Sequence, residues 1–182
     1  MHLFINTLII LIAFLGFIAG IILAFKTKEE FKSGKKYFLI SEFIILLILA
    51  LIFLFKSSLS YSSLILFVAG VLTTILVKRI YFYFGLALFL SFLFSKDFNL
   101  LIASLIFIYG LSEGTLKTNA LSYNKNKLKN LIILNLILFL LPFSLFLINN
   151  IINYMNIFSA FVSAVFFTLL FNRKIFISNI YK

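Results

Sequence analysis

Along this chain apolar residues do not alternate with polar ones. They come in long unbroken runs, separated by short clusters of Lys, Ser and Asn. The first is LFINTLIILIAFLGFIAGIILAF, and similar runs recur to the C-terminal region. A helix needs roughly 20 apolar residues to cross the hydrocarbon core of a bilayer. Backbone N–H and C=O groups find no water there, so only helices or closed barrels can span it, and continuous apolarity selects the helix. The pattern therefore predicts an all-α integral membrane protein with seven transmembrane helices, near 3–25, 37–55, 59–77, 80–95, 98–118, 131–148 and 151–171. Together they form a single polytopic domain over residues 1–182. The fourth run is short, reaching only about 24 Å at the helical rise. The first begins almost at the initiator Met with no basic residue before it and exceeds a signal-peptide core, so it is expected to be a retained span.

Composition agrees with this reading. The chain is 64% hydrophobic and 12% charged, with a mean hydropathy of +1.21. That is too little polar surface to cover a soluble core. Charge then orients the spans, because Lys and Arg are retained on the cytoplasmic side. With the N-terminus outside, fourteen of the sixteen basic residues fall on inner segments, leaving only Lys56 and Lys96 outside. Merging the third and fourth spans would bury Lys78 and Arg79. The expected topology is N-out and C-in, in the cell (cytoplasmic) membrane. Basic inner loops, not a nucleic-acid face, account for the net charge of +11, and anionic lipid headgroups are their expected partners. Tyr37, Tyr61, Tyr81, Tyr83 and Tyr154 fall near span ends, where an apolar ring keeps a wet hydroxyl; Tyr109 alone falls near mid-span.

Sliding the chain along itself by 94 residues places Gly16 and Gly20 on Gly110 and Gly114, and FVAGVLTTILVKR (67–79) on FVSAVFFTLLFNR (161–173). Spans one to three then map onto five to seven. This predicts a parallel 3+1+3 internal repeat with halves 1–79 and 95–173 and a connector helix at 80–95. The plan is similar to that of SWEET-type sugar transporters and their PQ-loop relatives. Those families carry a Pro in the first helix of each triplet, whereas the one Pro here is Pro142, so the likeness ends at architecture. Gly16, Gly20 and Ala24 form a small-residue ridge, repeated by Gly110 and Gly114; such ridges let helix backbones approach closely, within one chain or in a homodimer.

Candidate chemistry rests on few residues. Glu42 and Glu113 are acids inside apolar runs, and intramembrane ionisable groups are costly enough to point to function. Both stand about five residues from an inner boundary, deep enough to face one vestibule. Tyr109 and Glu113 share a helix face at i,i+4, where the first half of the repeat has Leu15 and Ala19. They are candidates for a substrate or proton path. The opposing expectation is a boundary ion pair of Glu113 with Lys117, also i,i+4. Ser41, Thr73, Thr74, Asn135 and Thr168 are expected to bond between helices, and Asn149, Asn153 and Asn156 to form a wet outer stripe.

There is no Cys, and the single His is His2, so disulfides, thiolate metal sites, haem axial pairs and Ser-His-Asp triads have no residues to build them. No phosphate loop or paired acidic Mg²⁺ motif occurs. The Glu29–Glu30 pair resembles that of glutamate intramembrane proteases, but Ser33 stands where their Arg belongs and no membrane His follows. No cofactor or metal is expected, and so few candidate acids and bases remain that a membrane-embedded lipid enzyme is the weakest reading, leaving catalysis open but disfavoured. The expected function is a small transporter or permease with a path between two three-helix halves. The alternative is a non-catalytic membrane subunit or scaffold that docks a partner through basic loops and glycine ridges.

Overall fold

The structure is a computed structural model that describes residues 2–28, 31–58, 60–147 and 154–178. These residues form α1 (His2–Lys26), α2 (Phe31–Lys56), α3 (Tyr61–Leu76), α4 (Ile80–Phe94), α5 (Lys96–Ala120), α6 (Lys125–Leu140), a 3-10 segment (Leu141–Leu147) and α7 (Met155–Ser178). α1, α2, α5, α6 with its 3-10 extension, and α7 are each long and apolar enough to cross a membrane. α3 and α4 are equally apolar but shorter, at 16 and 15 residues. Asn149 and Asn153 lie outside the described residues, as do Glu29 and Glu30; Asn156 is exposed.

Helix ends follow caps and Pro more closely than they follow hydropathy. α3 starts where the Ser60 side chain accepts the amide of Ser63, and α6 starts at Lys125, where Asn124 accepts the amide of Lys127, six residues ahead of the apolar run. α6 gives way to 3-10 geometry at Leu141. The next residue, Pro142, has no N–H to donate and its ring crowds the carbonyl a turn back.

α1 and α5 run in the same direction, since Gly16 abuts Phe107 and Gly20 abuts Leu111. α2 opposes α5, with Ser41 beside Ser112 and Phe53 beside Phe98. α4 also opposes α5, and α6 runs with α4. The ends of α1 and α5 and the starts of α2, α4 and α6 thus share one end of the bundle, the end rich in Lys. The starts of α1 and α5 (His2, Lys96), of α2 and α6 (Phe31, Lys125) and of α3 and α7 (Tyr61, Met155) all lie 94 residues apart. α1 makes its broadest contact with α5, and α3 with α7.

The expected connector, α4, occupies the centre. Its sequence IYFYFGLALFLSFLF is apolar on every side, the signature of a helix enclosed by others. Tyr81 and every residue from Tyr83 to Ser91 are buried. Tyr81 and Tyr83 therefore do not hold wet hydroxyls at a boundary. Tyr83 instead donates to the carbonyls of Thr73 and Val77, both at 3.0 Å, at the C-terminal turn of α3, where the Thr73 carbonyl also accepts the Val77 amide. Tyr83→Phe leaves the Val77 carbonyl without that donor, at a cost of about 1–2 kcal/mol. The expected result is faster amide exchange over the last turn of α3, with α1 and α5 unchanged.

The hydroxyls expected to link helices divide into two groups. Thr73 and Thr74 donate to Gly70 and Thr168 to Ala164, all within their own helices, because a Thr hydroxyl reaches the carbonyl one turn back more readily than a neighbour. Ser41 does join two helices, and Asn135 is buried. Further inter-helix bonds come from Thr115, whose hydroxyl reaches the Gly20 carbonyl at 3.1 Å as well as the Leu111 carbonyl of its own helix at 2.7 Å, and from Ser163, to the Ala50 carbonyl at 3.0 Å.

Candidate functional site

Tyr109, Glu113 and Lys117 stand one helical turn apart on a single face of α5. Tyr109 and Glu113 are buried, and the Lys117 side chain is half exposed at the Lys-rich end. The Tyr109 hydroxyl donates to Glu113 Oε2 at 3.5 Å, and Lys117 Nζ lies 3.7 Å from Oε1. A tight hydrogen bond between an ammonium and a carboxylate measures about 2.7–2.9 Å. Glu113 is thus held between a buried phenol and a half-exposed ammonium, and held loosely by both.

Two neighbouring helices complete the surroundings. On α4, Phe84 packs edge-on against Tyr109 with ring centroids 4.7 Å apart. One turn earlier, Tyr81 is enclosed by Phe14, Phe17 and Phe84, within electrostatic range of Glu113 and Tyr109. Its hydroxyl is buried and has no hydrogen-bond partner among the described residues. On α2, Ser41 accepts a bond from Ser112 at 3.3 Å, which sets the residues preceding Glu42 and Glu113 side by side. Glu42 is fully buried on the inward stripe of α2 with Ile45, Leu46, Leu49, Ala50 and Phe53. The structure therefore joins Tyr109 to Glu113 directly, and links their helix to that of Glu42 through the serine pair.

The glycines are placed differently from the acids. A Cβ on Gly16 or Gly20 would overlap the backbone carbonyl of Phe107 or Leu111, and one on Gly110 or Gly114 would overlap the backbone of Phe17. All four face the α1–α5 crossing inside one chain. Among the described residues, no three His, Asp or Glu side chains gather as metal ligands would.

Comparison with family models, curated proteins and solved structures finds no match.

Sequence reasoning missed Tyr81, Ser112 and Thr115. A signal for Tyr81 was present: a helix apolar all round is enclosed, so its first-turn Tyr is enclosed too. For the two hydroxyls there was none, since Ser and Thr within an apolar run do not reveal which face they occupy.

Proposed function

We propose that this chain is an integral protein of the cell membrane with seven spans, N-out and C-in, built from two parallel three-helix repeats around α4. It acts as a small transporter or permease that carries protons through Glu113. The repeat is supported by helix starts that recur at 94 residues and by the pairing of α1 with α5 and of α3 with α7. α3 and α4 reach only about 24 and 22 Å, so the bilayer thins around α3, or α3 is extended by the 77–79 link.

One observation carries the functional reading. A buried carboxylate on α5 is shared, at longer than ideal distances, between an inner phenol and an outer ammonium. Such a group can exchange one partner for the other as it gains and loses a proton, the behaviour expected of acids in membrane relays. Because α1 and α5 touch backbone to backbone, the path runs along the other side of α5, where α2 and α4 supply Ser41, Glu42 and Tyr81. The lone Tyr81 hydroxyl would be satisfied by a water or by a polar group of a solute entering there; unsatisfied, it costs about 1–3 kcal/mol. Phe53, Phe84, Phe98 and Phe166 pack together beyond it and close the way toward the opposite end.

Since the chain contains no Cys, single-cysteine variants report without background. Lys127→Cys is expected to react with a membrane-impermeant maleimide only in inside-out vesicles, and Ser58→Cys only in intact cells. Ser112→Cys, at the buried crossing, is expected to react with a small cationic methanethiosulfonate from the cytoplasmic face. An inert Ser112→Cys in a folded protein, with the two surface positions labelled as expected, would remove the water path from the account.

A further inference from the structure

α1 and α6 touch in mid-bundle, where Phe14 and Phe139 pack with ring centroids 5.6 Å apart. Toward the Lys-rich end they part, opening a groove of about 570 Å³. Its walls are Ile21 and Phe25 from α1 and Leu128, Ile132 and Ile133 from α6, and its rim is Lys125 and Lys129. On α6 these positions follow i, i+3, i+4, i+7 and i+8, so one helix face changes from cationic to apolar on going inward. The Tyr123 ring lies edge-on to Phe25 at 5.3 Å, with Lys28 Nζ 4.9 Å above it, which holds Phe25 against the groove and adds a cation beside it. Tyr123 and Ser122 have left-handed backbones, with φ of 58° and 51°. The turn between α5 and α6 thus bears strain while placing this ring.

Charge complementarity identifies the occupant. Neither Lys125 nor Lys129 pairs with a carboxylate among the described residues. Of the described acids, Glu42 and Glu113 are buried and Asp97 opens α5 at the other end of the bundle. The groove therefore offers cations with no carboxylate partner among the described residues, over an apolar wall at the depth where a headgroup meets its acyl chains.

We propose that the α1–α6 groove is a site for one anionic phospholipid of the cytoplasmic leaflet. Lys125 and Lys129 hold its phosphate, and an acyl chain lies along Ile21, Ile132 and Ile133. The lysine stems cover apolar surface while the ammonium groups stay in the headgroup layer. The site rests on the membrane reading and not on proton transfer, so a failed flux measurement leaves it standing.

The test uses the full chain in nanodiscs of phosphatidylcholine containing one-fifth phosphatidylglycerol, with bound lipid counted by native mass spectrometry after release into detergent. The expected result is one phosphatidylglycerol retained per chain, falling at least tenfold in Lys125→Gln/Lys129→Gln and unchanged in Lys127→Gln, whose residue does not line the groove. Ile133→Trp, which fills the groove and leaves both lysines, is expected to lose the lipid as well. Circular dichroism checks that each variant keeps its helices. Equal retention of the two lipids by the wild type, or equal loss in Lys127→Gln, would reduce the effect to general surface charge and overturn the site. Undiminished retention in Ile133→Trp would overturn the placement of the acyl chain.

Discussion

Gly16→Ala and Gly110→Ala are each expected to destabilise the bundle by about 3 kcal/mol, the upper end of overpacking costs. The reason is what the added methyl meets. At Gly16 it overlaps the Phe107 carbonyl, and at Gly110 it comes within 2.6 Å of the Phe17 amide nitrogen. Both obstacles are backbone, which cannot rotate aside, so the helices must separate. In lipid, separation loses close-range packing and regains no hydrophobic drive, because acyl chains are as apolar as the side chains. It also breaks the Thr115 bond to the Gly20 carbonyl. Gly34→Ala is the matched control. There a Cβ meets only the Phe38 ring, at an ordinary 3.5 Å, and Ala is the better helix former by roughly 1 kcal/mol. Thermal denaturation in detergent should place the two crossing variants well below the wild type and Gly34→Ala at or above it.

The second large effect is expected at Glu113. Glu113→Gln keeps the size of the side chain and an oxygen for the Tyr109 hydroxyl, but has no proton to release and no charge for Lys117. Proton movement should fall by more than tenfold while folding is retained. Glu113→Asp keeps the acid but draws it back toward the α5 backbone, away from both partners, and should retain partial activity. Glu42→Gln is expected to lower the rate as well, since Glu42 lies on the inward face of α2 next to the Ser41–Ser112 link. If Glu113 serves only to pair with Lys117 at the boundary, none of these rates should separate. The Lys117 ammonium is half exposed and 3.7 Å away, so Lys117 variants would then report only as stability losses of about 1 kcal/mol or less.

The apolar runs revealed where the helices lie, because a membrane-crossing helix must satisfy its own backbone and so needs a long unbroken stretch. They did not reveal where those helices end, since Asn124, Ser60 and Pro142 act through local hydrogen bonding. The four-residue glycine spacing was visible as a ridge. Gly70 and Gly85, which mark equally close approaches to Phe161 and Phe139, are single residues and carried no spacing to read. Tyr109 and Glu113 stood out because a polar group in mid-span is costly. Which of the two expected partners Glu113 meets was not legible, since Tyr109 and Lys117 lie one turn to either side; the structure places it between them. The central place of α4 was obscured by its position between the two segments that the 94-residue shift aligns, although its uniform apolarity pointed to enclosure.

The most direct test is proton flux in liposomes that trap a pH-sensitive dye, driven by a valinomycin-clamped potassium gradient. Wild-type protein is expected to move protons well above protein-free liposomes, and Glu113→Gln to return the rate to that background. A wild-type rate equal to background, or a Glu113→Gln rate equal to wild type, would contradict proton transport through Glu113.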